Sequence, residues 1–203
     1  MAEEKAVSFQ FDAVATHEIV DTMHAISNFT HCKWMVMGWA GRANSGLLVR
    51  NSIGWLTTHL NSNFALFKDN GVRYIRKILV CLRPGKEDIR FLQITDRIAQ
   101  YHGADFTFCR VIPENMEREE RDKLRAVSEK LLEGVKSVAC VEIKASNHPV
   151  ETIIEIAASY DLLITGTPLE DNMIKTLFGS GRDKFADGAP CSVLRLTIKS
   201  SDS

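Results

Sequence analysis

The chain lacks any long apolar run. Its longest stretches, such as Trp34 to Ala40, reach about eight residues, whereas a membrane-spanning helix needs roughly 20. It also lacks a charge excess. A net charge of −1 gives no electrostatic reason to expect nucleic acid or an anionic membrane as partner. The five cysteines at 32, 81, 109, 140 and 191 include no Cys-x-x-Cys pair. An odd, scattered set reads as reduced thiols, mostly core residues of a cytosolic protein. The N-terminus, Met-Ala-Glu-Glu-Lys, has no signal-peptide pattern. No Ser/His/Asp or Cys/His order and no paired carboxylates stand out, so a hydrolytic enzyme is not expected. No Pro/Gly/Ser-rich linker separates parts of the chain.

What is present is an internal repeat. Trp34-Met35-Val36-Met37-Gly38 is answered 128 residues later by Leu162-Leu163-Ile164-Thr165-Gly166. At the same offset Asn51-Ser52 falls on Gly179-Ser180, and Ala65-Leu66 on Val193-Leu194. Upstream the offset becomes 131, with Thr16-His17 on Asn147-His148. Two copies of one unit are therefore expected. The second copy has about 60 residues, Tyr74 to roughly Lys136, that the first lacks. The domains expected are an incomplete half at 1–73 and a complete unit at 74–203.

The second copy alternates strands and helices. Continuous apolar runs at Ile78–Leu82 and Leu162–Thr165, with strands at Asp105–Ile112, Val138–Lys144 and Ser192–Leu196, predict a parallel sheet covered on both faces. Helices are predicted between them. One carries Ile89, Leu92, Ile98 and Ala99 and stops at Gly103. An amphipathic one lies within Glu114–Gly134 with Leu124, Val127 and Leu131 inward. A third starts at Pro149 with Ile153, Ile154, Ala157 and Ala158 buried. Met173, Leu177 and Phe185 suggest further helical pieces. The first copy supplies a strand at Val7–Phe11, a helix bearing Ile19, Thr22, Met23 and Ile26, a strand at Trp34–Met37, a helix at Ile53–Leu60 and a strand at Phe64–Phe67. The fold class is α/β, a doubly wound parallel sheet with a half copy of the same fold.

The chemistry-bearing candidate follows the last-but-one strand of each copy. In the second it is Gly166-Thr167-Pro168-Leu169, nine residues, then Gly179-Ser180. In the first it is Gly38-Trp39-Ala40-Gly41, nine residues, then Asn51-Ser52. Glycine turns at the carboxyl end of parallel strands let backbone N–H groups approach a phosphate, and a serine adds a hydroxyl donor.

On these motifs the chain resembles the universal stress protein family, whose hallmark is Gly, two residues, Gly, nine residues, Gly, then Ser or Thr. The likeness covers Ile78 to about Leu196 as a whole unit and Val7 to Phe67 as the rear half of another. It implies the Rossmann-like strand order 3-2-1-4-5, with Phe64–Phe67 antiparallel beside Ser192–Leu196. It also implies candidate nucleotide contacts at Gly166, Thr167, Gly179, Ser180, Gly38, Gly41 and Ser52. Three departures weaken those contacts. Leu169 replaces the second glycine, Asn51 the third glycine of the first copy, and Arg83 follows a strand that ends in aspartate in the family. No cofactor is therefore assigned, ATP being the one considered.

A narrower resemblance rests on Met-Gly-Trp-Ala-Gly, Ile-Gly-Trp-Leu and Val-Arg-Tyr-Ile-Arg-Lys-Ile-Leu-Val. It is similar to the tandem stress-type domains of prokaryotic amino-acid permeases and cation–chloride cotransporters. It implies a non-catalytic cytoplasmic regulatory or dimerisation module, with the transporter's own membrane domain as partner and no membrane-spanning segment in this chain. The alternative is a free-standing ATP-binding stress protein. Phe64, Leu66, Trp55, Val193 and Leu194 are the interface candidates. Trp34, Trp39 and Trp55, all in the incomplete copy, read as cover for a surface needing a partner, and a homodimer is expected. His17, Asp21, His24, His31 and Cys32 form no recognisable metal motif, and no metal is assigned. The basic group Arg73, Arg76, Lys77 and Arg83 reads as solvated charge.

Overall fold

Seven strands form one sheet in the computed structural model, which describes residues 11–39, 56, 59–167 and 184–199. In chain order the described elements are α1 (Ile19–Thr30), β1 (Trp34–Gly38), β2 (Asn63–Lys68), β3 (Lys77–Cys81), α2 (Asp88–His102), β4 (Asp105–Ile112), α3 (Arg118–Leu132), β5 (Ala139–Ala145), α4 (Pro149–Ala157), β6 (Leu162–Gly166), α5 (Lys184–Gly188) and β7 (Ser192–Thr197). The sheet order is β1-β2-β7-β6-β3-β4-β5. Neighbours run parallel except at β2–β7, where Phe64 to Lys68 lies antiparallel to Thr197 to Val193.

The central strands β3 and β6 are apolar at nearly every position because each face has its own cover. On one face Ile78, Val80, Phe106, Phe108, Leu162 and Ile164 meet Phe91, Leu92 and Ala99 of α2, with Leu131 and Leu132 of α3. On the other, Leu79, Cys81, Cys109, Leu163 and Val193 meet Ile153 and Ala157 of α4, with Ala189 beyond α5. A smaller core of Leu56, Leu60, Phe64 and Leu66 takes Val20 and Met23 of α1 with Met35, Met37 and Trp39.

Helix ends follow local chemistry. Gly103, with φ +63°, stops α2 in the left-handed region, as its sequence position predicts. Pro149 opens α4 at its first turn. Helix faces differ from expectation. Ile19 and Ile26 of α1 and Ala158 after α4 are exposed; in α2 and α3 Ile89 and Val127 are exposed, while Thr95, Asp96 and Ser128 are buried in their place. The reason is hydrogen bonding. Thr95 Oγ1 donates to Phe91 O, Asp96 accepts from Lys136 and Ser137, and Ser128 bridges to β4.

The repeat recurs as backbone geometry, one residue out of step with the sequence match in two places. The Glu18 N–H donates to Thr16 Oγ1, as the His148 N–H does to Ser146 Oγ. Thr22 Oγ1 donates to Thr16 Oγ1, as Thr152 Oγ1 does to Ser146 Oγ. The upstream offset is thus 130, not 131, and His148 corresponds to Glu18 rather than His17. In the sheet, Asn63 N–H to Lys33 O and Trp39 N–H to Phe67 O repeat as Ser192 N–H to Asp161 O and Thr167 N–H to Leu196 O. Across the last strand the offset is therefore 129, so Phe64 matches Val193 and Ala65 matches Leu194.

The strand expected at Val7–Phe11 lies outside the described residues except for Phe11. Of the helix at Ile53–Leu60 only Leu56, His59 and Leu60 are described, the first two helical. Met173 and Leu177 also lie outside.

Candidate functional site at the carboxyl ends of the strands

From β3 the chain steps outward through β4 to β5, then α4 carries it back to β6 on the other side of β3. The β3–β6 boundary is therefore the topological switch point, where open α/β sheets place ligands beyond the strand carboxyl ends. Its described rim comprises the segment after β3, from Leu82 to Glu87, and Gly166-Thr167 at the end of β6.

Among the described residues, the protein's own side chains pack against the Gly166 edge of this crevice. A Cβ on Gly166 would meet Phe91 Cζ at 3.3 Å and Leu82 Cδ2 at 3.8 Å. Glycine here serves the close approach of an aromatic ring. Beside it, at the end of β4, Arg110 is 1% exposed. Its Nη2 donates to Asp88 Oδ2 at 2.7 Å, Nε to Ser128 Oγ at 3.2 Å and Nη1 to Leu82 O at 3.3 Å. The guanidinium carbon lies 4.4 Å from the centre of the Phe108 ring. The Gly85 N–H donates to the same Asp88 oxygen at 3.1 Å, so the ion pair also ties down the loop after β3. A buried arginine with donors satisfied from a carboxylate, a carbonyl and a hydroxyl is the compensated arrangement that burial demands.

Thr167 is likewise committed. Its N–H donates to Leu196 O at 3.0 Å, and its hydroxyl lies 2.6 Å from Thr197 Oγ1. Gly38, at the matching end of β1, has no atom within 4 Å of a virtual Cβ. Gly41, Ser52, Trp55, Gly179 and Ser180, with Leu169, lie outside the described residues. Phe64 and Leu66 of β2 and Val193 and Leu194 of β7 come together at the antiparallel junction inside the chain's own sheet. Asn70 stitches that junction, donating from Nδ2 to Ala189 O and Cys191 O while its N–H meets Ser192 Oγ.

Cys81 and Cys109 face each other in register between Thr165 and Glu142. The hydrogen bond with Cys109, then burial, pushes the Cys81 thiol well above its ordinary range. Among the described residues no three His, Cys, Asp or Glu side chains gather as a metal site. His24 meets Asn28 instead. Also among the described residues, no helix is long and apolar enough to cross a membrane.

Sequence reasoning missed Arg110, Asp88 and Phe91. One signal was available. In Asp105-Phe-Thr-Phe-Cys-Arg-Val-Ile112 the two-residue period puts Arg110 on the face of Phe106 and Phe108.

No protein-family model and no curated protein matches the sequence. Solved structures do. A universal stress protein from Archaeoglobus fulgidus DSM 4304 superposes at TM-score 0.61 and 14% identity, over 91% of this chain and 66% of that one. A putative universal stress protein from Pseudomonas aeruginosa UCBPP-PA14 gives 0.64 and 13%, over 95% and 73%. The cytoplasmic domain of a prokaryotic cation chloride cotransporter gives 0.63 and 12%, over 96% and 75%. At such identities the likeness is one of fold. The chain has the universal-stress-protein fold. It spans 66–75% of the length of these three structures.

Proposed function

We propose that this chain is a non-catalytic regulatory module that works by assembly, on the cytosolic side of a membrane transporter of the amino-acid permease or cation–chloride cotransporter type. Residues 74–203 are read as the complete unit and 1–73 as a half copy. The observation that supports this reading is the packing at the switch point: the Phe91 ring and Leu82 lie against Gly166, and the Arg110–Asp88 pair ties down the loop after β3, at the strand ends where open α/β sheets hold their ligands. The likeness to a cotransporter cytoplasmic domain, over 96% of this chain and 75% of that one, supports the transporter context. Assembly takes the form of a second copy or of further transporter polypeptide at the open side of the first half.

The test is thermal unfolding with and without millimolar Mg-ATP. A ligand at a hundred times its dissociation constant adds about 2.7 kcal/mol of stability. The expected result is no rise in Tm. A rise of several degrees, lost on substitution in the Gly166-Thr167 loop, favours a free-standing ATP-binding stress protein instead.

A further inference from the structure

Among the described residues β1 has one strand neighbour, β2. The Trp39 N–H donates to Phe67 O, and Lys33 O accepts from Asn63 N–H. Backbone groups alternate sides along a parallel strand, so those of Trp34, Val36 and Gly38 face away from β2. The strand Trp-Met-Val-Met-Gly carries none of the charges, prolines or bulges that protect an edge.

The second half shows what belongs there. Val36 corresponds to Ile164 of β6, whose outer side is taken by β3 with Val80 opposite Ile164. Ile164 is 0% exposed and Val36 is 67% exposed. The matching hydroxyl turns, Thr16 with Thr22 and Ser146 with Thr152, make α1 the counterpart of α4. α4 packs on β4, two strands from β6 in the sheet. By the same geometry α1 reaches past β1, to where no described strand lies. Its Ile26 is exposed, whereas the counterpart Ile156 packs on the core of Leu79 and Cys81. Phe29 is 88% exposed. The result is a slot with an unpaired strand edge, Val36 on one side and α1 overhanging the other.

We propose that this slot receives a β-α-β unit from polypeptide outside these 203 residues: a parallel apolar strand like Ile78–Cys81 against β1, a second strand beneath α1, and a helix over Val36. This rests on the assembly reading and specifies its form. A second copy fits poorly. A two-fold axis would set β1 antiparallel to β1 and bring both α1 helices over strands already covered by Val20, Met23, Leu56 and Leu60. The fold-mates are longer by a length that accommodates such a unit, since this chain spans 66–75% of them.

The probe is the chain's own template. Residues 74–136 are fused ahead of Val7, the counterpart of Ser137 at the 130-residue offset. Val36→Cys is then assayed for alkylation in the parent and in the fusion, with amide exchange of the Trp34–Gly38 segment. Alkylation and exchange at least tenfold slower in the fusion, with a Tm raised above the parent's that Val36→Asp abolishes while leaving the parent's own Tm unchanged, is the expected result. Unchanged reactivity in the fusion overturns the proposal, as does a parent chain whose Val36→Cys cross-links to its own copy in a stable dimer. Stabilisation of the parent by ATP would defeat the functional reading and leave the alkylation result intact, so the two failures are distinguishable.

Discussion

Arg110 Nη2 and Asp88 Oδ2 lie 2.7 Å apart, joining β4 to the first residue of α2. Their side chains are 2% and 10% exposed, so the pair is screened little by solvent. Removing one partner strands a charge beneath Phe108. Arg110→Met and Asp88→Ala are each expected to lower stability by about 3–5 kcal/mol. The double variant should cost less than the sum, because it leaves no orphaned charge. Urea unfolding of the four proteins measures the coupling. Additive losses would mean that the pair is not the buried unit described.

A second prediction concerns pH. Burial raises the Asp96 carboxyl, but hydrogen bonds from the Ser137 hydroxyl, the Ser137 and Lys136 N–H groups and Gln100 outweigh it and hold the carboxyl below its ordinary value. A depressed carboxylate contributes stability that is full above the unfolded value of about 3.9 and is lost as pH falls through the folded value. Wild type should therefore lose stability more steeply than Asp96→Asn as pH drops below about 4. At neutral pH Asp96→Asn should be less stable, since its amide cannot match the carboxylate as an acceptor at the turn from α3 to β5. Thermal unfolding at a series of pH values checks both parts. Parallel acid limbs in the two proteins would contradict the assignment.

The thiols give a third. Cys81, Cys109 and Cys191 are buried, whereas Cys140 is exposed on the edge strand β5. In the native chain iodoacetamide should modify Cys140 first and leave Cys81, Cys109 and Cys191 unmodified until unfolding, by peptide mass spectrometry. Early loss of Cys81 would indicate that the sheet opens beneath α4.

Strand positions were legible because buried parallel strands are apolar at nearly every residue, as in Lys77–Cys81 and Leu162–Gly166. Helix faces were less so, since polar side chains with satisfied hydrogen bonds take buried places that apolar letters are expected to hold. Ser128 displaces Val127 from the core because Arg110 requires a hydroxyl there. The packing at Gly166 was not legible for a related reason. The glycine spacing around Gly166 reads as room for a phosphate, but spacing cannot reveal that the ring of Phe91, 75 residues earlier in the chain, lies against that glycine. The 60-odd residues that the first stretch of the repeat lacks pointed to an edge at β1, which has one described strand neighbour, whereas the correspondence of α1 with α4 needed the turn geometry.

The repeat supplies the last prediction. Letter matching aligned His17 with His148, but the equivalent groups are the hydroxyls of Thr16 and Ser146. Each accepts the N–H two residues on and the hydroxyl six residues on, ordering the turn into its helix. The two turns do the same physical job, so their substitutions should behave alike. Thr16→Ala and Ser146→Ala should each cost about 0.5–2 kcal/mol, the range for losing a helix-start hydroxyl. The exchanges Thr16→Ser and Ser146→Thr, which keep the acceptor, should be nearly neutral. Hydrogen exchange should localise the damage: Thr16→Ala frays the start of α1 alone and Ser146→Ala the start of α4 alone. A Ser146→Ala loss without a matching Thr16→Ala loss would mean that the first turn resembles the second in shape without sharing its role.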